Sequence, residues 1–189
     1  MEQEHRIQVE NLRASAPSLR AGDRVLLTGT VYTARDAAHK ELFRLLDAGE
    51  PLPFSLRDAV IYYAGPTQTP PGGIIGSCGP TTSGRMDPYA PRLLDLGLCG
   101  MIGKGERAQA VKDAVVRNGG VYLCAIGGAG VLAAARIKSC EVIAFEHLGC
   151  ESVKRLYVED FRSSSGSIPR AATCSRRAAR STPPFSIRK

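Results

Sequence analysis

The chain has 189 residues, with 25 Lys and Arg against 18 Asp and Glu and a formal net charge of +7. Its 43% hydrophobic and 23% charged residues exclude a disordered or fibrous protein, and its length suits one ordinary domain or two small ones. No apolar run approaches the roughly 18–20 residues that span a bilayer, and the polar start MEQEHRIQVE is unlike a secretory signal peptide. We therefore expect a globular cytoplasmic protein with no membrane contact.

The positive charge is concentrated at one end of the chain. The last 29 residues carry seven of the basic residues and no acid, so the first 160 residues are neutral overall. A basic segment is typical of nucleic-acid binding, but here the aromatic content of residues 162–189 is Phe185 alone. We therefore expect no nucleic-acid partner. A protein that binds nucleic acid through this tail is an alternative, and salt-dependent binding would distinguish it.

The cysteines do not form a recognisable ligand pattern. No two of them have CxxC or zinc-ligand spacing, and Cys99, Cys124 and Cys140 lie in apolar, strand-like runs. In such runs a cysteine acts as a small hydrophobic residue. We therefore expect reduced thiols, no disulfide framework and no metal site on this chain.

The first half of the chain contains three strand-like runs and one clear helix. Strands are predicted at residues 6–10, 24–32 and 59–63. Between the second and third, Thr33 can cap a helix that has Asp36 in its first turn and runs to about Ala48, where Gly49 ends it. A loop rich in Gly and Pro follows at residues 65–80.

The second half alternates between helices and apolar strands. Helices are predicted at residues 89–96 and 106–118 and from GGAG (127–130) through Ile137, and strands at 98–102, 121–126, 141–145 and 156–158. Parallel strands require such crossovers and are buried on both faces. We therefore expect an α/β fold with a mixed, largely parallel sheet flanked by helices.

Three polar segments follow predicted strands, where α/β folds bind ligands. They are TARDAAH (33–39), GSCGPTTSGRMD (76–87) and GKG (103–105). Each also has a simpler interpretation: a helix cap with a surface ion pair, a turn with a helix cap, and an exposed loop lysine. Together they supply the cations Arg35, Arg85 and Lys104, which would suit a small ligand with two carboxylates if the loops converge.

Hydrolase chemistry is a poor match to this sequence. The histidines are His5, His39 and His147, and none is obviously paired with a nucleophile and a carboxylate. The GGAG segment lacks the rest of a dinucleotide-binding fingerprint and is more typical of a close-packed turn.

The amino-acid sequence of several segments resembles that of the iron–sulfur (class I) fumarate hydratases. These segments are GDRVLLTGTVYTARDAAHK, IYYAGPT, SCGPTTSGRMDPYAPRLLDLG, MIGKG and RLYVEDF, and the resemblance as a whole covers roughly residues 5–161 in order. The chain looks like the beta subunit of the two-subunit form, which is equivalent to the C-terminal domain of the single-chain form. L-tartrate dehydratase beta subunits share the pattern.

The resemblance implies a swivelling β/β/α domain and a hydro-lyase, a carbon–oxygen lyase that reversibly hydrates fumarate to L-malate in the tricarboxylic acid cycle. It also implies a [4Fe-4S] cluster whose open iron position binds the substrate. The cluster's cysteine ligands belong to an alpha subunit, so the active form is a hetero-oligomer. The alternatives are an L-tartrate dehydratase beta subunit and a stand-alone, non-catalytic anion-binding module.

The resemblance also assigns roles to residues. Arg35, Arg85 and Lys104 would bind carboxylates, and Thr81 would be the catalytic base. Three further residues would support them: Asp36, His39 and Thr82. A threonine hydroxyl ionises far above neutral pH, so Thr81 would need strong local positive charge or a proton relay.

The chain departs from the family after VEDF (158–161). There the family continues with Pro, an apolar strand and a turn, whereas this chain reads RSSSGSIPRAATCSRRAARSTPPFSIRK. Writing the tail in G/C-rich codons and restoring one C after the Phe161 codon gives PLVVGIDPAGRDLF, the missing strand and turn. We interpret residues 1–161 as the beta-subunit domain. Residues 162–189 form a basic Arg/Ser/Pro-rich tail that we attribute to a one-base frameshift and expect to be irregular and loosely packed.

Overall fold

Seven strands and five α-helices form the part of the chain that the computed structural model describes, residues 3–125 and 128–166. The strands are β1 (Glu4–Gln8), β2 (Arg24–Thr33), β3 (Val60–Tyr62), β4 (Gly100–Gly103), β5 (Val121–Cys124), β6 (Ile137–Ala144) and β7 (Val153–Ser165). The helices are α1 (Leu12–Ser15), α2 (Asp36–Ala48), α3 (Ala90–Asp95), α4 (Gln109–Asn118) and α5 (Gly130–Ala134). Within these ranges, no helix has the length and apolar character needed to cross a membrane.

The sheet closes on itself. Its strand order is β1-β2-β3-β4-β5-β7-β6, and an additional pairing joins β2 to β7. The five strands β2, β3, β4, β5 and β7 therefore form a closed barrel, with β1 and β6 paired outside the ring. Strands β1 to β5 run parallel to one another, whereas β7 is antiparallel to β2, β5 and β6. The predicted mixed α/β architecture is confirmed, and the closure is a feature that the sequence analysis did not foresee.

Two apolar cores lie on the two faces of this sheet. Along β3, Val60 and Tyr62 belong to one core, while Ile61 and the following Tyr63 belong to the other. The second core also contains Leu42 and the buried residues of α3 and α4, so the helices cover that face. Successive side chains of a strand point to opposite faces of the sheet. A strand that is buried on both faces is therefore apolar at consecutive positions.

The start of α2 differs from the prediction. Thr33 does not cap the helix, because it is the last residue of β2 and is fully buried. Its hydroxyl donates to the Ser152 carbonyl at 3.2 Å and accepts from the Lys154 amide at 3.0 Å. The N-cap position is Arg35, and Gly49 ends the helix in a left-handed conformation, as predicted. Thr33 thus joins β2 to β7 instead of ordering the helix.

The C-terminal half also differs in its boundaries. The helix after GGAG ends at Ala134, and Ile137 begins β6 instead of closing a helix. Strand β7 has 13 residues, far more than the predicted residues 156–158. Polar residues recur along β7 because buried and exposed positions alternate over much of its length, and this hid its length from a search for apolar runs.

The expectation of an irregular tail fails at its first residues. Residues 162–165 continue β7, and Ser163 and Ser165 are 2% and 4% exposed. Backbone pairing holds this end in place, since the Ser165 amide donates to the Asp23 carbonyl at 2.8 Å. Backbone hydrogen bonds do not require apolar side chains, which explains strand formation by a serine run. Residues 167–189, the remainder of the expected tail, lie outside the described residues.

A bulge divides β7 into two parts. The pairing with β2 runs from Lys154 to Val158 and then shifts before resuming at Phe161, opposite Leu27. Asp160 sits in the irregularity with φ at 48°, and its amide donates to the Thr28 hydroxyl at 3.0 Å. Irregularities of this kind bend a strand and reset its register locally.

The parallel strands bring three loops to one edge. The segments after β2, β3 and β4 all leave the sheet at strand carboxyl ends, and β2, β3 and β4 are adjacent and parallel. These segments contain TARDAAH, GSCGPTTSGRMD and GKG. The fold therefore places the three polar loops together, which meets the condition that the sequence left open.

Candidate functional site

Asp36 joins the first two loops. Its Oδ1 accepts a hydrogen bond from Arg85 Nε at 2.9 Å, and its Oδ2 lies 2.7 Å from Arg85 Nη2. The same Oδ2 lies 4.0 Å from Arg35 Nε. One carboxylate thus holds two guanidinium groups close together, although their like charges repel. Arg85 is half exposed, whereas the side chain of Arg35 is largely covered.

Arg35 is held from several sides. Its Nη2 lies 3.4 Å from Glu151 Oε1, and the other oxygen of Glu151 accepts a hydrogen bond from the Ala37 amide at 2.9 Å. Gly65 makes room for the guanidinium, because a Cβ there would lie 2.7 Å from Arg35 Nη1. Among the described residues, the buried Nε of Arg35 has no hydrogen-bond acceptor. Arg35 is therefore held by ion pairs, and its buried Nε donates no hydrogen bond within the described residues.

His39 lies beneath this pair and is fully buried. Its Nδ1 is 2.8 Å from the Arg35 carbonyl oxygen, so Nδ1 carries the proton and donates. Its ring packs against Tyr63 and Tyr89, with centroids 5.6 and 5.3 Å away. Desolvation is the main cause that lowers the pKa of His39 to about 4, against the raising effects of the Arg35 carbonyl and Asp36. His39 is therefore neutral at physiological pH and supports the backbone of Arg35.

Backbone pairing joins the other two loops. The Thr81 amide donates to the Tyr63 carbonyl at 2.7 Å, and the Lys104 amide donates to the Thr81 carbonyl at 3.3 Å. The Ser83 amide donates to the Lys104 carbonyl at 2.9 Å, and Thr82 forms a parallel bridge with Lys104. Lys104 and Thr82 are exposed, and Thr81 is partly buried. This arrangement brings Thr81, Thr82 and Lys104 together on the open side of the site.

Arg107, which was not among the predicted site residues, lies behind the site. It is 6% exposed, its Nε donates to Asp87 Oδ1 at 2.7 Å, and its guanidinium lies over the rings of Tyr63 and Tyr122 at 5.3 and 5.1 Å. The second oxygen of Asp87 accepts from the Ala108 amide at 2.7 Å. A buried arginine needs such a partner, and Arg107 therefore ties the end of the GPTTSGRMD segment to the residues after GKG.

Glu151 was also missed. No local pattern marks it, because it reaches Arg35 and Ala37 from more than 100 positions along the chain. For Arg107 a signal existed: it follows GKG by two residues and is paired with an acid at the end of the preceding polar segment.

No metal-binding cluster is formed by residues 3–125 and 128–166. In these ranges, no three His, Cys, Asp or Glu side chains lie together in a way that could hold a metal ion. Cys78 and Cys99 are buried, and burial raises the pKa of each thiol, to about 12 for Cys78 and about 11 for Cys99. The described residues therefore do not offer a ligand set for an iron–sulfur cluster.

The site as built is rich in cations and partly open. Arg35, Arg85 and Lys104 stand on loops at one edge of the barrel, and Asp36 and Glu151 neutralise part of their charge. Guanidinium groups bind carboxylates through paired hydrogen bonds, and Arg85 keeps donors beyond the two atoms that contact Asp36. The arrangement is chemically suited to a small anion.

Comparisons with known proteins agree on one family. The Fumarase C-terminus family model matches residues 1–164. The chain is 49% identical over 140 residues to "Fumarate hydratase class I, anaerobic" of Escherichia coli K12, covering 73% of this chain and 26% of that protein. It is 43% identical over 155 residues to "Fumarate hydratase 2" of Leishmania major, covering 81% of this chain and 27% of that protein.

A shorter relative matches along most of its own length. The chain is 36% identical over 148 residues to the "Putative L(+)-tartrate dehydratase subunit beta" of Methanocaldococcus jannaschii, covering 76% of each chain. The chain spans about a quarter of the length of the fumarate hydratases that it matches. From the family match and these identities, the chain belongs to the Fumarase C-terminus family.

Proposed function

We propose that this chain is the beta-type part of an iron–sulfur hydro-lyase that reversibly hydrates fumarate to L-malate. The observation that carries the proposal is the pairing of Arg35 and Arg85 around one carboxylate, with a buried Nε of Arg35 that has no acceptor among the described residues. A substrate carboxylate would bind the donors of the half-exposed Arg85 that Asp36 does not use. The 49% identity to a class I fumarate hydratase favours fumarate as the substrate.

In this proposal different cations bind the two carboxylates of a four-carbon dicarboxylate. Arg35 and Arg85 bind one carboxylate and Lys104, on the neighbouring loop, binds the other. When the carbon beside a carboxylate loses its proton, negative charge grows on that carboxylate, and nearby cations stabilise it. The supporting residues Asp36, His39 and Thr82 keep the cations in place before substrate arrives.

Thr81 takes the role of the base in this proposal. Its amide and carbonyl are both fixed by backbone hydrogen bonds, to Tyr63 and Lys104, so its hydroxyl is carried on a rigid segment. Neighbouring positive charge from Lys104 and Arg85 would favour the ionised hydroxyl. A proton relay through a bound water is the other route by which Thr81 could act.

The proposal requires a partner. An alpha subunit supplies the cysteine ligands of the [4Fe-4S] cluster, since the described residues here lack a ligand set. The mixed sheet with helices would then act as the swivelling β/β/α domain that closes over the substrate. The assembled hetero-oligomer works in the cytoplasm, where thiols such as that of Cys150 stay reduced.

The test is reconstitution with the cognate alpha chain. The two chains are co-expressed without oxygen, purified through a tag on the alpha chain, and assayed with fumarate and with L-tartrate. Co-purification and hydration of fumarate to L-malate are expected. Turnover of L-tartrate in preference to fumarate would identify a tartrate dehydratase beta subunit. Failure to bind the alpha chain, together with no turnover of either acid, would overturn the proposal in favour of a non-catalytic anion-binding module.

A further inference from the structure

The hydroxyl of Tyr122 contacts both loops on the Lys104 side of the site. It lies 2.8 Å from the Gly105 carbonyl oxygen and 2.9 Å from the Ser83 hydroxyl. A carbonyl can only accept, so the phenol donates to Gly105 and the Ser83 hydroxyl donates to the phenol oxygen. Burial raises the pKa of Tyr122, so the donated proton stays on the phenol. Both hydrogen-bonding capacities of the hydroxyl are thus used to join two different loops.

These two loops carry the proposed substrate-binding residues. Ser83 stands two residues before Arg85 and two after Thr81, and Gly105 follows Lys104 directly. Ser83 is fully buried and Tyr122 is 5% exposed, so the hydrogen bond between them is shielded from water, whereas Gly105 is exposed. A hydrogen bond that is shielded in this way is costly to leave unmade.

The rest of the surroundings keep Tyr122 in place. Its ring belongs to β5, whose residues pair with β4, and the Arg107 guanidinium lies 5.1 Å over it. Gly103, at the end of β4, leaves space for the contact between Tyr122 and Ser83, because a Cβ there would lie within 2.0 Å of the Ser83 hydroxyl oxygen. The hydroxyl is therefore presented by a rigid strand, whereas its two partners lie on loops.

We propose that the Tyr122 clamp, formed by Tyr122, Ser83 and Gly105, is a positioning device that sets the distance from Lys104 to Thr81 and Arg85, and so matches the site to a four-carbon dicarboxylate. This inference rests on the proposed function. Tyr122 does not touch the substrate in this arrangement; it acts through the two loops. Two loops held at a fixed spacing can bind both ends of a short, rigid diacid without reorganising.

The kinetic test uses the assembled two-chain enzyme. Tyr122→Phe removes the hydroxyl but keeps the ring under Arg107, and Ser83→Ala removes one partner. We expect Tyr122→Phe to lower kcat/KM for fumarate about tenfold, a loss of about 1.4 kcal/mol of transition-state stabilisation. The double variant should lose no more than about twofold beyond Tyr122→Phe, because the clamp is already open. Tyr157→Phe, at a 42% exposed position of β7, is the matched control and should keep wild-type kinetics.

A second measurement tests whether the Tyr122 clamp holds the two loops together, and it does not depend on catalysis. Hydrogen exchange is followed on the full chain at the amides of Ser83 and Lys104, which pair the two loops. Tyr122→Phe should exchange about tenfold faster at these amides, while Tyr157→Phe should match the wild type.

The outcomes separate the two proposals. Unchanged exchange in Tyr122→Phe would overturn the clamp, whatever the activity. Faster exchange with kcat/KM within twofold of the wild type would also overturn it, because the hydroxyl would then be structural alone. If the wild-type assembly turns over neither acid, the proposed function fails, and the positioning role that rests on it fails too. The exchange data would still decide whether Tyr122 joins the two loops.

Discussion

Asp36 and Arg85 form a two-point ion pair, with Nε to Oδ1 at 2.9 Å and Nη2 to Oδ2 at 2.7 Å. Because Asp36 also approaches Arg35, the pair keeps two guanidinium groups ready for one anion. An incoming carboxylate can use the remaining donors of Arg85 without breaking this contact, or displace Asp36 and restore a similar geometry. In the proposed site, Asp36 would therefore hold Arg85 near its binding position before the ligand arrives.

Replacing Arg85 tests this arrangement directly. In the assembled enzyme, Arg85→Ala should lower kcat/KM for fumarate by at least 100-fold, since a charge-assisted double contact to the substrate is worth about 3 kcal/mol. Arg117→Ala is a matched control, because Arg117 makes the same kind of double contact with Asp95, at 2.8 and 2.7 Å, and is half exposed like Arg85. Steady-state kinetics of both variants give the comparison, and equal effects would contradict the site assignment.

His39 makes the fold sensitive to acid. Its pKa of about 4 in the fold lies below the ordinary value of 6.5, so the unfolded chain takes up the proton first as the pH falls. The contribution of neutral His39 to the free energy of unfolding is therefore fully present above about pH 6.5. It is lost progressively as the pH falls toward 4, and the loss amounts to about 2–3 kcal/mol. Urea unfolding at pH 7 and pH 4.5 measures this loss.

The matched variant for this experiment is His39→Asn. An asparagine amide can donate to the Arg35 carbonyl as Nδ1 does, but it does not titrate in this range. The variant should start less stable and lose about 2 kcal/mol less than the wild type between the two pH values. Parallel losses in the two proteins would mean that His39 is not the group responsible.

Gly103 is required by the close approach of two loops. A Cβ at this position would lie 2.0 Å from the Ser83 hydroxyl oxygen and 2.9 Å from Tyr63 Cδ2. Gly103→Ala should therefore lower the free energy of unfolding by about 1–3 kcal/mol, measured by urea denaturation. At Gly84 the nearest atoms to a new Cβ are 4.0 Å away, so Gly84→Ala should unfold like the wild type. A stable Gly103→Ala protein would show that the loops separate easily.

The buried serines of β7 offer a test of stability. Ser163 and Ser165 are almost fully buried; the Ser163 hydroxyl donates a long hydrogen bond to the Val25 carbonyl at 3.4 Å, and the Ser165 hydroxyl donates to the Arg20 carbonyl. Restoring one base after the Phe161 codon would place Leu, Val and Val at positions 163 to 165. The variant Ser163→Leu, Ser164→Val, Ser165→Val should therefore raise Tm by several degrees, since it buries apolar surface in a central strand. Ser139→Val, at an exposed position of β6, should leave Tm within about a degree.

The convergence of the site was predictable from the alternation of strands and helices. TARDAAH, GPTTSGRMD and GKG each follow a strand, and parallel neighbours release their loops at one edge. The partners of the predicted residues were harder to find. Glu151 approaches Arg35 from a distant part of the chain, and the burial of His39 follows from its packing against Tyr63 and Tyr89. These contacts depend on tertiary packing, which local patterns do not encode.

The closed barrel was not predictable for a related reason. Its closure depends on the pairing of β2 with β7, whose residues are more than 100 positions apart, such as Thr30 and Tyr157. Alternation predicts that a segment is a strand and which side chains share a face, but not which strand it joins. Over the second half of β7, polar residues replace the apolar alternation that predicts a strand, so that half was not predicted as a strand.

The irregularity at Asp160 also separates the two ends of β7 from each other. Residues 154–158 pair with the end of β2 that leads to Arg35, whereas residues 161–164 pair with the opposite end of β2. A slipped pairing normally reverses the facing of every side chain along a strand, but an interruption lets each part keep its own alignment. The bulge makes the register of one part independent of the other. An altered reading frame beyond Phe161 is therefore compatible with an intact anion site at the other end of the same strand.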